Sequence, residues 1–301
     1  MFDDFVRHLQ DQDLATATVR GYLADLRAFA RWYEQTNGEV LTPEVVTPTD
    51  IREYRTWLQR RYKAATVNRR LQALRAWLEW AVAQGLAQSN PAAEVRLVRE
   101  AKPGLRWLDK RERYALQRAA ERVLQTARLY YPRRWVVYER DALLVLFLLH
   151  TGLRVGEVVR LTPDDLTLSD RKGQVVVRGK GNKQRVVPLN GAARKAVRRW
   201  LQAREDAVIF TGPLWGLGEG ITPRTVQRAV RRIAHDARLD GVTPHVLRHT
   251  FAKSLVDAGV GLEQVAELLG HDNLETTRRY VQPSARDLQR AVEALVGGGV
   301  R

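Results

Sequence analysis

A chain of 301 residues with 45% apolar content has room for two folded domains and is too apolar for a disordered tail. Its 50 Lys and Arg outnumber 34 Asp and Glu, a net +16, which points to a polyanionic partner. The absence of cysteine excludes a disulfide framework, cysteine-ligated zinc and a thiol nucleophile, and the longest apolar stretch, residues 142–149, is too short to span a bilayer. A soluble intracellular protein with no membrane partner is therefore expected.

The first hundred residues read as helices. Residues 3–10 make the first, and in the second Val19, Leu23, Leu26, Ala30 and Tyr33 follow the three-and-four spacing of one buried face. A third follows Pro48 with Asp50 and Glu53 as its expected capping box. A fourth, capped by Thr66, carries Val67, Leu71, Leu74, Leu78 and Ala81 and stops at Gly85 and Ser89-Asn90-Pro91. These helices make a domain over residues 1–91. Residues 1–100 are nearly balanced, with 14 cations and 13 acids, yet residues 52–75 hold eight cations and only Glu53 as an acid. That stripe fits a helix face lying along phosphates, or one that is merely solvated. Residues 92–107, with Pro103-Gly104, read as a linker, with the division near residue 103, and residues 108–301 form the second domain.

In that second part residues 109–128 and 139–150 read as helices, the latter buried because it is almost wholly apolar after Asp141. It runs into Thr151-Gly152-Leu153-Arg154. Residues 124–140, with Tyr130-Tyr131-Pro132-Arg133-Arg134-Trp135, read as a surface loop or as an insertion that touches DNA or another subunit. Two β-rich runs, 174–178 and 184–189, flank Gly179-Lys180-Gly181-Asn182-Lys183, a hairpin with a cationic tip. Helices follow over 191–204, 223–238, 244–258, 262–270 and 284–296, with residues 208–210 as a short strand. The last helix carries an apolar stripe of Leu288, Val292 and Leu295, which needs a partner surface.

Several chemistries lack their residues. The hairpin glycines are not followed by Gly-Lys-Ser/Thr and lead to a strand, so a P-loop is excluded. His245 and His249 have zinc-protease spacing, but Val246 stands where the general-base Glu belongs. Asp164-Asp165, after Thr162-Pro163, reads as a turn or cap rather than a two-metal centre, and no Gly-x-Ser-x-Gly elbow is present. What remains is His245 and Arg248 three apart on one helix face, followed by Leu268-Leu269-Gly270-His271 and, nine residues on, Tyr280.

Taken in order, Arg154, Lys180, His245, Arg248, His271 and Tyr280 resemble the signature of the tyrosine recombinase (phage integrase) family. The resemblance rests on Thr151-Gly152-Leu153-Arg154-Val155-Gly156-Glu157, on Gly179-Lys180-Gly181-Asn182-Lys183-Gln184-Arg185, on the His-x-x-Arg-His helix and on the Leu-Leu-Gly-His segment. The helical first domain, ending in Asn90-Pro91-Ala92-Ala93, is similar to the SAM-like core-binding domain of the Xer-like branch.

Such kinship implies a mainly α fold with a small β-sheet (α+β), a helical N-terminal core-binding domain and a larger catalytic domain. It implies site-specific DNA recombination through a 3′-phosphotyrosine, with no metal, ATP or other cofactor, in chromosome segregation or mobile-element integration. The residue types suit that chemistry: Tyr280 as nucleophile, Arg154 and Arg248 forking onto nonbridging oxygens, His271 adding a hydrogen bond, and His245 as base or proton relay. The family assigns the hairpin lysine, here Lys180, as general acid, and Glu157 reads as a supporting partner of Arg154. Arg69, Arg70, Arg75, Lys183 and Arg185 read as DNA contacts. The implied partner is double-stranded DNA carrying recombination sites, held by a homo-tetramer or by a hetero-tetramer with a paralogue, in the cytoplasm at the nucleoid. DNA relaxation of the type IB topoisomerase kind, which uses a similar residue set, and a non-catalytic architectural DNA-binding protein stay open.

Overall fold

The apolar spacing of the first hundred residues becomes four helices, α1 (Asp3–Asp11), α2 (Thr16–Asn37), α3 (Pro48–Gln59) and α4 (Ala64–Ala83). The computed structural model describes residues 2–12, 14–100, 104–179, 184–209, 211–218, 220–271 and 273–280, and divides the chain into two units, Met1–Pro103 and Gly104–Arg301. In the first unit Leu26, Phe29, Ile51, Tyr54, Leu58, Val67, Leu71, Trp77 and Leu78 fill the core. Helix α2 turns inward along Val19, Leu26, Phe29 and Tyr33, leaving Leu23 and Ala30 at the margin.

Two helix starts differ from expectation. Thr47, not Asp50, caps α3: its hydroxyl accepts from the Asp50 amide (3.3 Å) and the Asp50 carboxylate accepts from the Thr47 amide (2.8 Å). Pro48 then sits at the first helical position, where its missing N–H costs nothing. Helix α4 starts at Ala64, so Thr66 lies within its first turn.

The expected linker, 92–107, is packed at both ends. Ala92 and Val95 are buried in the first core, Asn68 exchanges hydrogen bonds with both the amide and the carbonyl of Val98 (2.8 and 2.9 Å), and Arg75 donates to the carbonyls of Ala92 (2.9 Å), Ala93 (3.5 Å) and Val95. At the far end, the Arg106 guanidinium donates to the Asp240 carbonyl (3.0 Å) within the second unit. Arg75 thereby ties α4 to the 92–95 backbone within its own unit. Arg70 stacks over the Tyr62 ring (4.2 Å), 3.7 Å from the buried Asp25, and Arg69, which pairs with the same carboxylate, stays exposed.

The second unit is assembled around α6 (Trp135–Thr151), whose residues 142–145 and 147–149 are buried. Around it lie α5 (Lys110–Tyr130), α8 (Gly191–Asp206), α9 (Pro223–Asp236) and α10 (Pro244–Asp257). Residues 124–140 are not a loop: α5 runs on to Tyr130 and α6 begins at Trp135. The helical hairpin closes because Arg128 bridges Glu139 (2.9 Å) and Asp206 (2.6 Å) while lying over the Trp135 ring (4.0 Å). Tyr131 stacks flat on Tyr138, centroids 3.9 Å apart.

Between α6 and α8 come α7 (Val155–Val158), a 3-10 turn (Pro163–Asp165) and an antiparallel sheet of β1 (Leu166–Leu168), β2 (Gly173–Arg178) and β3 (Gln184–Pro188) in that order. The register pairs Val175 with Val187 and Arg178 with Gln184. The Asp164-Asp165 pair belongs to that turn, where Asp165 accepts from the Thr162 amide (2.9 Å). Strand β1 was not foreseen, since three residues give no readable period. Val208 adopts left-handed backbone (φ 57°) in a turn after α8, so the strand expected at 208–210 does not form there, and Phe210 lies outside the described residues. The unit continues with α11 (Leu262–Leu269) and α12 (Leu274–Arg278), and the helix expected at 284–296 also lies outside the described residues.

Candidate active site

Helix α6 stops because Gly152 takes a left-handed conformation (φ 61°), and a Cβ there would stand 2.4 Å from the Phe251 ring. The turn makes Arg154 the cap of α7. Its amide donates to Glu157 Oε2 (2.7 Å) and its guanidinium to Glu157 Oε1 (3.1 Å). With 40% of its side chain exposed, Arg154 can reach a ligand.

Helix α11 ends in a pattern that organises the whole site. The last carbonyls of a helix lack partners within it and form the negative end of its dipole. Here three consecutive carbonyls each accept from a different arginine: Leu268 from Arg185 (3.1 Å), Leu269 from Arg248 (2.7 Å) and Gly270 from Arg154 (2.7 Å). Gly270 is left-handed (φ 65°), and a Cβ on it would meet Arg185 Nη1 at 2.8 Å, so this approach needs glycine. Arg248 also donates to the Gly152 carbonyl (2.8 Å), tying the two glycine turns together through α10.

Glu157 is the internal counter-ion. It is 4% exposed and accepts both arms of Arg185 (2.8 and 2.9 Å) in addition to its Arg154 bonds. Burial alone would raise its pKa; the hydrogen bonds from Arg185 and Arg154 outweigh that and hold it below the ordinary carboxylate value. Arg185 thus links β3, α7 and α11 while lining the cleft. Arg248, 4% exposed, is lowered to about 10 by burial and by the charge of Arg154, and stays cationic at neutral pH.

The imidazoles come next. His245, exposed at the start of α10, lines a cleft of about 560 Å³ together with Arg154, Gly179, Arg185 and His271. His271 follows the Gly270 turn, and its Nδ1 meets the hydroxyl of the fully buried Thr277 (2.8 Å). Burial, then Arg248 and Arg154, lower His271 to about 4. Tyr280 is 1% exposed, and its hydroxyl meets Nδ1 of His249 (2.7 Å). Burial raises the phenol pKa more than Arg248, Arg279 and Arg154 lower it. His249 is lowered to about 4 by burial, then by His245 and Arg248.

Described residues therefore bring together Arg154, Glu157, His245, Arg248, His271 and Tyr280; Lys180 and Lys183 lie outside the described residues. Sequence reasoning missed His249 and Thr277 as partners of Tyr280 and His271. Nothing in the spacing of 31 residues between His249 and Tyr280 signals their contact. Among the described residues no three His, Cys, Asp or Glu side chains converge as metal ligands would.

The depressed histidines carry a pH prediction. Unfolded histidine takes its proton near 6.5, whereas His249 and His271 stay neutral in the fold to about 4. Between those values the unfolded chain binds more protons, so stability falls as pH drops from about 6.5 towards 4 and is unaffected by these groups above that window. Thermal melts from pH 7 to 5 should show this decline, and His271→Asn should flatten it.

Two arginines, imidazoles and a buried tyrosine are thus collected from α7, α10 and the α11–α12 segment, a set of groups suited to phosphoryl transfer. The chain belongs to the phage integrase family, the tyrosine recombinases: residues 118–286 match the phage integrase family model and residues 2–85 match the phage integrase N-terminal SAM-like domain. It is 34% identical to the tyrosine recombinase XerC of Corynebacterium glutamicum, over 97% of this chain and 90% of that protein. With XerC of Pelobacter propionicus the identity is 31%, over 93% and 89%. Among solved structures, XerH site-specific recombinase bound to difH substrate in a pre-cleavage complex superposes with a TM-score of 0.70 at 22% identity, covering 91% of this chain and 78% of that one. A lambda integrase (75-356) dimer bound to a COC′ core site gives 0.71 at 18%, covering 95% of each. These two structures share the fold, and the XerC relatives place the chain in the Xer-like branch.

Proposed function

We propose that this protein is a site-specific DNA recombinase in which the Tyr280 oxygen attacks the scissile phosphorus. The bond from phosphorus to the 5′-oxygen breaks, a 3′-phosphotyrosine forms, and the 5′-hydroxyl leaves with a proton from Lys180. The reverse attack by a 5′-hydroxyl of a partner strand rejoins the DNA, so the bond energy stays in the phosphotyrosine and no energy cofactor is required. The observation that carries this reading is the anchoring of Arg248 and Arg154 on adjacent carbonyls of Leu269 and Gly270, beside His271 and Tyr280. Two guanidinium groups held in advance can stabilise the crowded phosphoryl transition state without rearranging. His245, on the rim of the cleft, takes the phenol proton as Tyr280 attacks, as base or proton relay, and Glu157 fixes Arg154.

The substrate is double-stranded DNA with paired recombination sites, bound by a homo-tetramer or with a paralogous partner, at the nucleoid of the cytoplasm. The N-terminal match favours strand exchange over relaxation by swivelling. A nicked suicide substrate tests the chemistry, by the covalent adduct. Recombinant product from paired sites tests strand exchange; relaxation of supercoils without it would overturn the recombinase reading.

The general acid has its own test. Lys180→Ala should cleave slowly on ordinary DNA and recover when sulfur replaces the 5′-bridging oxygen, since a thiolate leaves without a proton. Lys183→Ala should show no such rescue; the opposite result would assign the role to the other hairpin lysine.

A further inference from the structure

Tyr280 is the nucleophile of the proposed reaction, yet its side chain is 1% exposed, while the cleft residues that would face a phosphate are Arg154, His245 and His271. Its hydroxyl is engaged by Nδ1 of His249 at 2.7 Å, with the two ring centroids 5.5 Å apart. The other histidine next to it, His271, lies with its ring nearly parallel to the phenol at 6.4 Å and has its own Nδ1 on Thr277. One imidazole is thus exposed on the cleft, one is fixed by a threonine, and one is turned to the tyrosine.

The role of His249 follows from charge. At neutral pH its ring is uncharged, so one nitrogen is free to accept, and the partner offering a proton is the phenol. It does not serve as the base: an imidazole lowered to about 4 facing a phenol raised above its usual value of about 10 makes direct transfer unfavourable by more than about a millionfold. A neutral acceptor that bonds the protonated phenol stabilises the unreactive form. We propose that His249 is a positioning residue that holds Tyr280 withdrawn and protonated, so that breaking the His249–Tyr280 hydrogen bond is part of delivering the nucleophile to the phosphate. This rests on Tyr280 being the nucleophile.

A single hydrogen bond of this kind shifts a two-state balance by roughly 2-fold to 10-fold. The test uses the full chain and the variants His249→Leu, which removes the acceptor, and His249→Asn, whose side-chain oxygen can stand close to the Nδ1 position. Acetylation by N-acetylimidazole without DNA, read by peptide mass spectrometry against exposed Tyr114 and Tyr130, reports access to the phenol. Adduct formation on a single unpaired suicide site reports delivery. In His249→Leu, Tyr280 should be acetylated about 3-fold to 10-fold faster and adduct should form faster by a similar factor, with unchanged DNA affinity; His249→Asn should stay near wild type on both. Should His249→Leu not fold, as its melt would show, His249→Ala takes its place. Wild-type protection of Tyr280 in the acceptor-free variant overturns the proposal, and so does slower adduct formation, which would make His249 an aligner of the attack. Failure of the nucleophile reading is separate: wild-type adduct mapping to another residue removes Tyr280 from the chemistry whatever the acetylation shows.

Discussion

Tyr280→Phe should abolish covalent attachment to a nicked suicide substrate and leave the DNA dissociation constant within about 2-fold of wild type. The substitution deletes one hydroxyl, whereas affinity for duplex DNA is dominated by many phosphate contacts and their released counterions. The lost His249 bond costs about 1 kcal/mol of stability, small enough to keep the chain folded. Adduct and filter-binding assays at one salt concentration separate the two effects. Any adduct formed by the mutant would remove Tyr280 from the reaction.

Arg154→Ala and Arg248→Ala should each slow cleavage by about 100-fold or more, the usual loss when one prearranged transition-state donor is removed. Stability should tell them apart. Arg248 is buried and its two arms end on the Gly152 and Leu269 carbonyls, so truncation leaves both acceptors without their donor and should lower the melting temperature clearly. Arg154, 40% exposed at its side chain, gives up one carbonyl and one of the cations on Glu157, so its loss should lower the melting temperature less than that of Arg248. Arg248→Lys should not recover the rate, because a point charge cannot span two carbonyls and fork onto phosphate as a guanidinium does. Single-turnover cleavage with melts in the same buffer decides; wild-type rates in either alanine variant would contradict the phosphate clamp.

Much of this molecule is legible in its amino-acid order. Apolar spacing locates α2, α4 and α6, cap chemistry near Pro48 announces α3 even though the capping residue is Thr47, and β-rich runs around Gly179-Lys180-Gly181-Asn182-Lys183 announce β2 and β3. Residues 124–140 are harder, since Arg128, Glu139 and Asp206 look like ordinary surface charges until packing makes them the clasp of a helical hairpin. Motif order brings Arg154, His245, Arg248, His271 and Tyr280 into view as one set.

The sequence by itself determined most of the helices, the β2–β3 hairpin and which residue types are available for phosphoryl transfer, because periodicity, caps and turns act over a few neighbours. Only the tertiary structure decided what each cation and imidazole touches. An arginine reads the same whether it faces solvent, phosphate or a carbonyl, and only the packing shows that Arg75 holds the 92–95 backbone and that Arg185 holds Glu157 and Leu268. The carbonyls that align Arg185, Arg248 and Arg154 are 83, 21 and 116 residues away in sequence, and His249 meets Tyr280 across 31. Such pairings depend on how α10 and α11 pack, which no local spacing encodes.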